Sequence, residues 1–161
     1  MSKQAPVAKR RLDPQAIISK IRTALSSQQI ESGMKTSVKI LRLGSDHYDW
    51  VGIYLVKDDM LELAAWDGEA ETEHARIPIG QGICGSAARE GHTILVPDVN
   101  KDPRYLACFA STRSEIVVPI KGKHGVLGEI DIDSDRPSAF DDEDQGSLEA
   151  IAHILADALE A

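Results

Sequence analysis

Cysteines and aromatic residues are scarce in this chain of 161 residues. Aromatics make up 4% of the sequence, and Cys84 and Cys108 are its two cysteines. Structural zinc sites normally draw four ligands from tightly spaced pairs of Cys and His. Neither the two cysteines nor His74, His92 and His124 show that spacing. The sequence therefore predicts no metal site.

Long apolar runs and an excess of positive charge are also absent. No apolar run approaches the length of a membrane span, and the net charge of −8 argues against nucleic acid or an anionic membrane as the main partner. The first twelve residues hold four basic side chains, but no apolar stretch follows them as a signal peptide requires. We expect residues 1–12 to form a disordered basic tail. Two cysteines without an export signal indicate the cytoplasm, where a disulfide would be transient and catalytic.

Residues 13–161 are predicted to form one domain, because the length is typical of a single domain and 42% of the chain is apolar. An amphipathic helix begins at Asp13-Pro14, with proline at the first helical position. A second helix is predicted to end near Gly44. The acidic run 141–144 opens a C-terminal helix, since acidic side chains suit a helix N-terminus.

The segment between these helices has the pattern of short β-strands. Strands are predicted at 50–56, 60–66, 75–79, 92–96, 115–121 and 126–133, with a short helix at 83–90 and a long loop at 97–114. Most of the links are short, so a mostly antiparallel sheet is expected. The predicted fold class is α+β, with a central sheet of about six strands and the N- and C-terminal helices packed on one face.

The two cysteines lie in segments that favour chemistry over packing. Cys84 is flanked by Gly82 and Gly85 at an expected helix start, and a helix N-terminus lowers the pKa of a thiol. Cys108 lies in the long loop, and such loops in compact domains are usually functional. The alternative is that each cysteine is a small buried apolar residue.

Acidic side chains are concentrated on the last predicted strand. Glu129, Asp131 and Asp133 share one face of it because side chains alternate along a strand. They form either a solvated face or a pocket for a cation such as a primary ammonium group, with a raised-pKa carboxyl left over as a proton donor. Glu115 lies at the start of the preceding strand.

Two of the few aromatic residues share a face of the first strand. Trp50 and Tyr54 are separated by an even number of residues, which places both side chains on the same side. They line a pocket for an apolar or soft group, or else they pack the sheet against the terminal helices.

Five segments together resemble a GAF domain and, more narrowly, the free methionine-(R)-sulfoxide reductases. These segments are Trp50-Val-Gly-Ile-Tyr54, Arg76-Ile-Pro-Ile-Gly-Gln-Gly-Ile-Cys84-Gly, Val96-Pro-Asp98-Val, Ala107-Cys108 followed by Arg113-Ser114-Glu115-Ile-Val-Val-Pro, and Asp131-Ile-Asp133-Ser134. The resemblance runs from about Trp50 to the C-terminus.

The resemblance implies a role for each thiol. Cys108 falls at the family's catalytic cysteine, whose thiolate attacks the sulfoxide sulfur, releases methionine and becomes a sulfenic acid. Cys84 falls at a position that serves as the resolving cysteine and forms a disulfide. Thioredoxin would then act as the external reductant, with no bound cofactor.

The resemblance also implies how the substrate is held. Glu115, Asp131 and Asp133 match the carboxylates that bind free methionine sulfoxide and protonate its oxygen, with Glu115 and Asp133 in the catalytic set. Trp50 and Tyr54 match the aromatic wall around the sulfur and its methyl group. GAF domains often pair through terminal helices, so a homodimer is expected.

Some positions depart from the pattern of the reductases. His74 stands where the family commonly has a further cysteine, Arg104-Tyr-Leu-Ala replaces Gly-His-Ile-Ala before Cys108, and Glu129 stands where an apolar residue is more usual. Two alternatives to the reductase therefore stay open. One is a GAF module that binds a small molecule without turnover, and the other is a regulatory subunit that assembles through its terminal helices.

Overall fold

A computed structural model describes residues 13–161, and the predicted tail at 1–12 lies outside the described residues. Within the described part of the chain there are four α-helices and six β-strands. The helices are α1 (Pro14–Ser27), α2 (Ile30–Gly44), α3 (Gly82–Glu90) and α4 (Asp142–Glu160). The strands are β1 (Trp50–Lys57), β2 (Met60–Asp67), β3 (Arg76–Pro78), β4 (Ile94–Val96), β5 (Ser114–Gly122) and β6 (Gly125–Ser134). A short 3₁₀ turn spans Val99–Lys101 in the long loop.

The strands form a single antiparallel sheet in the order β3-β2-β1-β6-β5-β4. Helices α1, α2 and α4 cover one face of this sheet, and α3 packs on the other. The α+β fold class is thereby confirmed, including the placement of the terminal helices on one face. The boundaries of the domain stay a prediction.

The strand β6 shows how the sequence separates the two faces. Ile130 and Ile132 point into the main apolar core with Val51 and Ile53 of β1, beneath α1, α2 and α4. The intervening side chains point the other way, towards α3. The alternation of apolar and acidic residues in β6 therefore fixes which face carries polar chemistry.

The helix α4 begins where the acidic run predicted it. Asp141 caps the helix by accepting hydrogen bonds from the backbone N–H groups of Glu143 and Asp144, each at 3.1 Å. The Asp144 carboxylate accepts a bond from the Asp141 N–H in return. This reciprocal pair is a capping box, which satisfies backbone donors at the start of α4.

Two predicted strands are shorter than expected. The strand at 75–79 is confined to Arg76–Pro78 and the strand at 92–96 to Ile94–Val96. Both are edge strands, and each pairs with its neighbour over three residues. Each edge strand thus ends where its pairing ends, although its partner β2 or β5 continues. No helix in the described part of the chain is long and apolar enough to cross a bilayer.

Candidate active site

Four carboxyl side chains are buried together on the α3 side of the sheet. Their exposed fractions are 4% for Glu115, 0% for Glu129, 1% for Asp131 and 3% for Asp133. Glu115 on β5 lies directly across from Asp133 on β6. No ion pair within residues 13–161 reaches any of the four. The alternative of a solvated strand face is therefore wrong.

The four carboxyl groups of Glu115, Glu129, Asp131 and Asp133 are called the acidic row below. The neighbouring strand β1 places aromatic side chains beside them. Trp50 lies across from Asp133, Gly52 from Asp131, and Tyr54 from Glu129. A Cβ on Gly52 would lie 2.3 Å from Cη2 of Trp50, so the indole lies across the space that a side chain would fill. Trp50 and Tyr54 pack in the cluster beneath α3. The alternative that they pack against the terminal helices is wrong.

Cys84 reaches the acids from α3. Gly85 allows this helix to approach the sheet closely, because it has no side chain. A Cβ at this position would lie 2.6 Å from the carbonyl oxygen of Pro78. The thiol of Cys84 and carboxylate oxygens of Glu115 and Asp131 all lie within 4.8 Å of one another. Cys84 is buried and is a free thiol.

The expectation that a helix N-terminus lowers the Cys84 pKa is wrong. Burial, followed by the charge of Asp131, raises the pKa of the thiol well above its ordinary value. A helix terminus favours an anion only modestly, whereas loss of water and adjacent carboxylates both oppose thiolate formation. The Cys84 side chain is consequently a protonated thiol, not a thiolate, in this arrangement.

Cys108 lies in the long loop between β4 and β5 and is partly exposed. Its thiol donates a hydrogen bond to the carbonyl of Leu106 at 3.6 Å. Burial raises the pKa of this thiol to about 12, and a hydrogen bond with Thr72 partly opposes the rise. Cys108 is therefore also protonated at neutral pH.

Both cysteines line one small cavity. Its volume is about 10 Å³, and its walls include His74, Leu106 and Glu115 as well as Cys84 and Cys108. This is roughly the space of one water molecule or ion. The fold thus brings together the two thiols and one of the acids.

A second cleft, of about 120 Å³, opens beside the acidic row. Trp50, Phe109 and Asp133 are among its walls. The ring centroids of Trp50 and Phe109 are 5.8 Å apart. An apolar group that entered this cleft would therefore meet aromatic carbon close to a carboxyl group.

The electrostatics of the acids follow from burial and mutual repulsion. Burial, then the charge of Asp131, raises the pKa of Glu115, of Glu129 and of Asp133 well above the ordinary values. The pKa of Asp131 is also raised by burial. The row can therefore hold protonated carboxyls as hydrogen donors beside an ionised one that binds a cation.

Three residues at the site were not predicted from the sequence. Phe109 packs against Trp50 with the two rings tilted by 47°, and Thr72 interacts with the Cys108 thiol. The hydroxyl of Tyr105 is buried near Glu115 and Asp133, whose charges add to burial in raising its pKa. The scarcity of aromatics was the one signal for Phe109 and Tyr105, whereas nothing in the sequence marks Thr72.

Tyr54 reaches the loop between β2 and β3 rather than the acids. Its hydroxyl donates to the backbone carbonyl of His74 at 2.9 Å. This bond fixes the segment that carries His74 and Thr72 over the cavity. Tyr54 therefore packs in the apolar cluster beneath α3 and also holds the loop between β2 and β3 in place.

Comparison with known proteins identifies this architecture. The GAF domain family model matches residues 37–160. The chain belongs to the GAF domain family. Within it, the chain is similar to the free methionine-R-sulfoxide reductases, as its sequence motifs predicted.

Three relatives show the extent of that similarity. The free methionine-R-sulfoxide reductase of Escherichia coli is 36% identical over 107 residues, which span 66% of this chain and 64% of that protein. The structure of the type II free methionine-R-sulfoxide reductase from Thermoplasma acidophilum superposes with a TM-score of 0.79 at 39% sequence identity. The superposition covers 85% of this GAF domain chain and 95% of the Thermoplasma chain. The Neisseria meningitidis reductase in complex with its substrate has a TM-score of 0.85 and 32% identity, covering 91% of this chain and 88% of that one.

Proposed function

We propose that this GAF domain protein reduces free methionine-(R)-sulfoxide to methionine through the thiols of Cys108 and Cys84. The observation that carries the proposal is the cavity that both thiols and Glu115 line, next to buried carboxyls with no cationic partner among the described residues. Similarity to reductases of this substrate supports it.

The acids suit a free amino acid. No cationic side chain among the described residues pairs with Asp131 and its neighbours, and the ammonium group of a free amino acid would supply that partner. Buried charges are stable when they are paired. A methionine residue within a peptide has no such group. Asp131 is therefore assigned to substrate binding and to selection of the free amino acid.

The first chemical step transfers oxygen to Cys108. Its sulfur attacks the sulfoxide sulfur while Glu115 or Asp133 donates a proton to the departing oxygen. The bond between the two sulfurs is transient: the protonated oxygen passes to the Cys108 sulfur as the S–O bond of the substrate and the S–S bond both break, so methionine leaves and Cys108 carries the sulfenic acid. The thiol proton of Cys108 passes to the carboxylate that gave up its proton, so protons balance. A bound ammonium group favours this loss because it offsets the carboxylate charges that raise the Cys108 pKa.

The second step returns the protein to a stable oxidation state. The Cys84 sulfur attacks the Cys108 sulfenic acid, an S–S bond forms, and water leaves with the thiol proton. Thioredoxin is the proposed reductant of this disulfide, and the reaction needs no bound cofactor. The proposed setting is the cytoplasm.

The deciding experiment is NADPH consumption with thioredoxin, thioredoxin reductase and free methionine-(R)-sulfoxide. We expect turnover that stops when either cysteine is alkylated. The S epimer and an N-acetylated substrate serve as controls, since the latter lacks the ammonium group. No NADPH consumption by folded protein with two titratable thiols would contradict the proposal.

Binding without turnover is the second candidate. The raised pKa of both thiols favours it, because a protonated thiol is a poor nucleophile. Calorimetric binding of methionine sulfoxide with no methionine released would support this alternative.

A further inference from the structure

The acidic row contains one carboxyl group that the proposed reaction leaves unused. Glu129 is fully buried, and neither of its carboxylate oxygens has a hydrogen-bond partner of good geometry within residues 13–161. The polar groups that interact with it electrostatically are Cys84 and Asp131. A buried charge of this kind is stable when it is paired or bound to a metal.

The fold places a metal-binding set of atoms beside Glu129. The sulfur of Cys84 and carboxylate oxygens of Glu115 and Asp131 lie within 4.8 Å of one another. In a tetrahedral zinc site, Zn–S is about 2.3 Å and Zn–O about 2.0–2.2 Å, so ligand atoms are about 3.5 Å apart. A modest contraction would bring the three atoms to that spacing.

The three residues come from α3, β5 and β6, so spacing along the chain gives no sign of them. The prediction of no metal site was based on such spacing. One thiolate among carboxylates suits a borderline-soft divalent cation better than Ca²⁺ or Mg²⁺, which prefer oxygen alone.

We propose that the reduced protein binds one Zn²⁺ through Cys84, Glu115 and Asp131, with Glu129 as the adjacent carboxylate that completes or orients the site. Binding replaces the thiol proton of Cys84 by a sulfur–zinc bond and releases that proton. No oxidation accompanies it.

The site would couple metal binding to the state of the thiols. This coupling rests on the proposed function, in which Cys84 and Cys108 form a disulfide. That disulfide would remove the sulfur ligand. Zinc would then occupy the reduced protein and leave the oxidised one. It would also compete with the ammonium group for Asp131.

Titration of the chemically reduced protein with Co²⁺ tests the site independently of catalysis. Cobalt substitutes for zinc, and a cobalt–thiolate bond gives a charge-transfer band in the near ultraviolet. We expect one Co²⁺ per chain with that band, and its displacement by one Zn²⁺. Absence of the band in the reduced wild-type protein would overturn the proposal, whether or not the protein reduces methionine sulfoxide.

Variants identify the ligands. Cys84→Ser should abolish the band, and Cys108→Ser should retain it, because Cys108 lines the cavity but is outside the ligand set. Glu129→Gln should weaken binding about 10- to 100-fold, as expected for a supporting group. Glu31→Gln, an exposed residue of α2, is the matched control and should leave affinity unchanged. A band that persists in Cys84→Ser, or is lost equally in Cys108→Ser, would reject the assignment.

Discussion

At the scale of single residues, the thiols are expected to divide the reaction between them. Cys108→Ser should abolish even one turnover, because it removes the attacking sulfur. Cys84→Ser should release one methionine per chain and then stop as the sulfenic acid. Rapid-quench measurement of methionine per chain checks both results. Equal loss of the first turnover in the two variants would remove the assignment.

The carboxyl groups facing Cys84 and Trp50 are expected to contribute to the transition state. Glu115→Gln and Asp133→Asn keep size but remove the acid. Each should lower kcat/KM for free methionine-(R)-sulfoxide by about 30- to 1000-fold, equivalent to about 2–4 kcal/mol. Melting temperature is the control for folding. Near-normal kcat/KM in both variants would leave these acids without a catalytic role.

Glu129 is expected to destabilise the folded protein above acidic pH. Its folded-state pKa is raised, so the unfolded chain loses the proton first, and stability falls as pH rises from the unfolded pKa towards the folded one. Glu129→Gln does not titrate and should gain roughly 1–3 kcal/mol at pH 7, because it avoids the cost of keeping a buried carboxyl protonated at a pH where the unfolded chain ionises.

Urea unfolding at pH 4 and pH 7 measures this effect. The difference between Glu129→Gln and wild type should shrink towards pH 4, where the glutamate is protonated in both states. Glu31→Gln removes a charge from the first turn of α2 and should instead lose a little stability at pH 7. A destabilised Glu129→Gln at pH 7 would mean that the carboxylate has a favourable partner.

At the scale of secondary-structure elements, the close approach of α3 to the loop before it positions Cys84. A methyl group on Gly85 would lie 2.6 Å from the Pro78 carbonyl, whereas one on Gly146 of α4 meets nothing within 4 Å. We expect Gly85→Ala to cost about 1–3 kcal/mol by overpacking. Gly146→Ala should instead gain about 0.5–1 kcal/mol.

Urea unfolding gives both stabilities, and the rate of Cys84 alkylation reports the position of α3. Gly85→Ala should speed alkylation of Cys84, while Gly146→Ala leaves it unchanged. Equal stability of the two variants would show that α3 has room to shift.

The elements themselves could largely be predicted from the sequence. The alternating residues of β6 and the acidic start of α4 are local patterns, and both were predicted correctly. The burial of Asp131 was not decidable locally, because an acidic strand face is equally compatible with water until α3 is placed over it. The contacts of Thr72 and Phe109 likewise depend on how two loops fold over the sheet.

At the scale of the whole molecule, the expected homodimer remains a prediction. The terminal helices α1 and α4, through which pairing was expected, bury their apolar residues in the chain's own core. Leu43 on α2 is 70% exposed and is one of two large exposed apolar side chains in the described part of the chain. An interface that uses exposed apolar surface would therefore involve α2 rather than the buried apolar sides of α1 and α4.

Light scattering at high micromolar concentration tests the dimer. The expected mass is twice that of the chain, and Leu43→Lys should shift it towards the monomer if α2 lies at the interface. A wild-type monomer at this concentration would contradict the prediction.

The alternation of isoleucines and acids in β6 has a consequence for how the chain avoids folding errors. If β6 slipped by one residue against β1 and β5, Glu129, Asp131 and Asp133 would enter the layer beneath α1, α2 and α4, while Ile130 and Ile132 would leave it. A chain with this misalignment would bury several carboxyl groups in the apolar core and would place the isoleucines beneath α3, where the carboxyl groups belong. The side chains proposed for chemistry thus also penalise incorrect strand alignment during folding, even before any substrate is present.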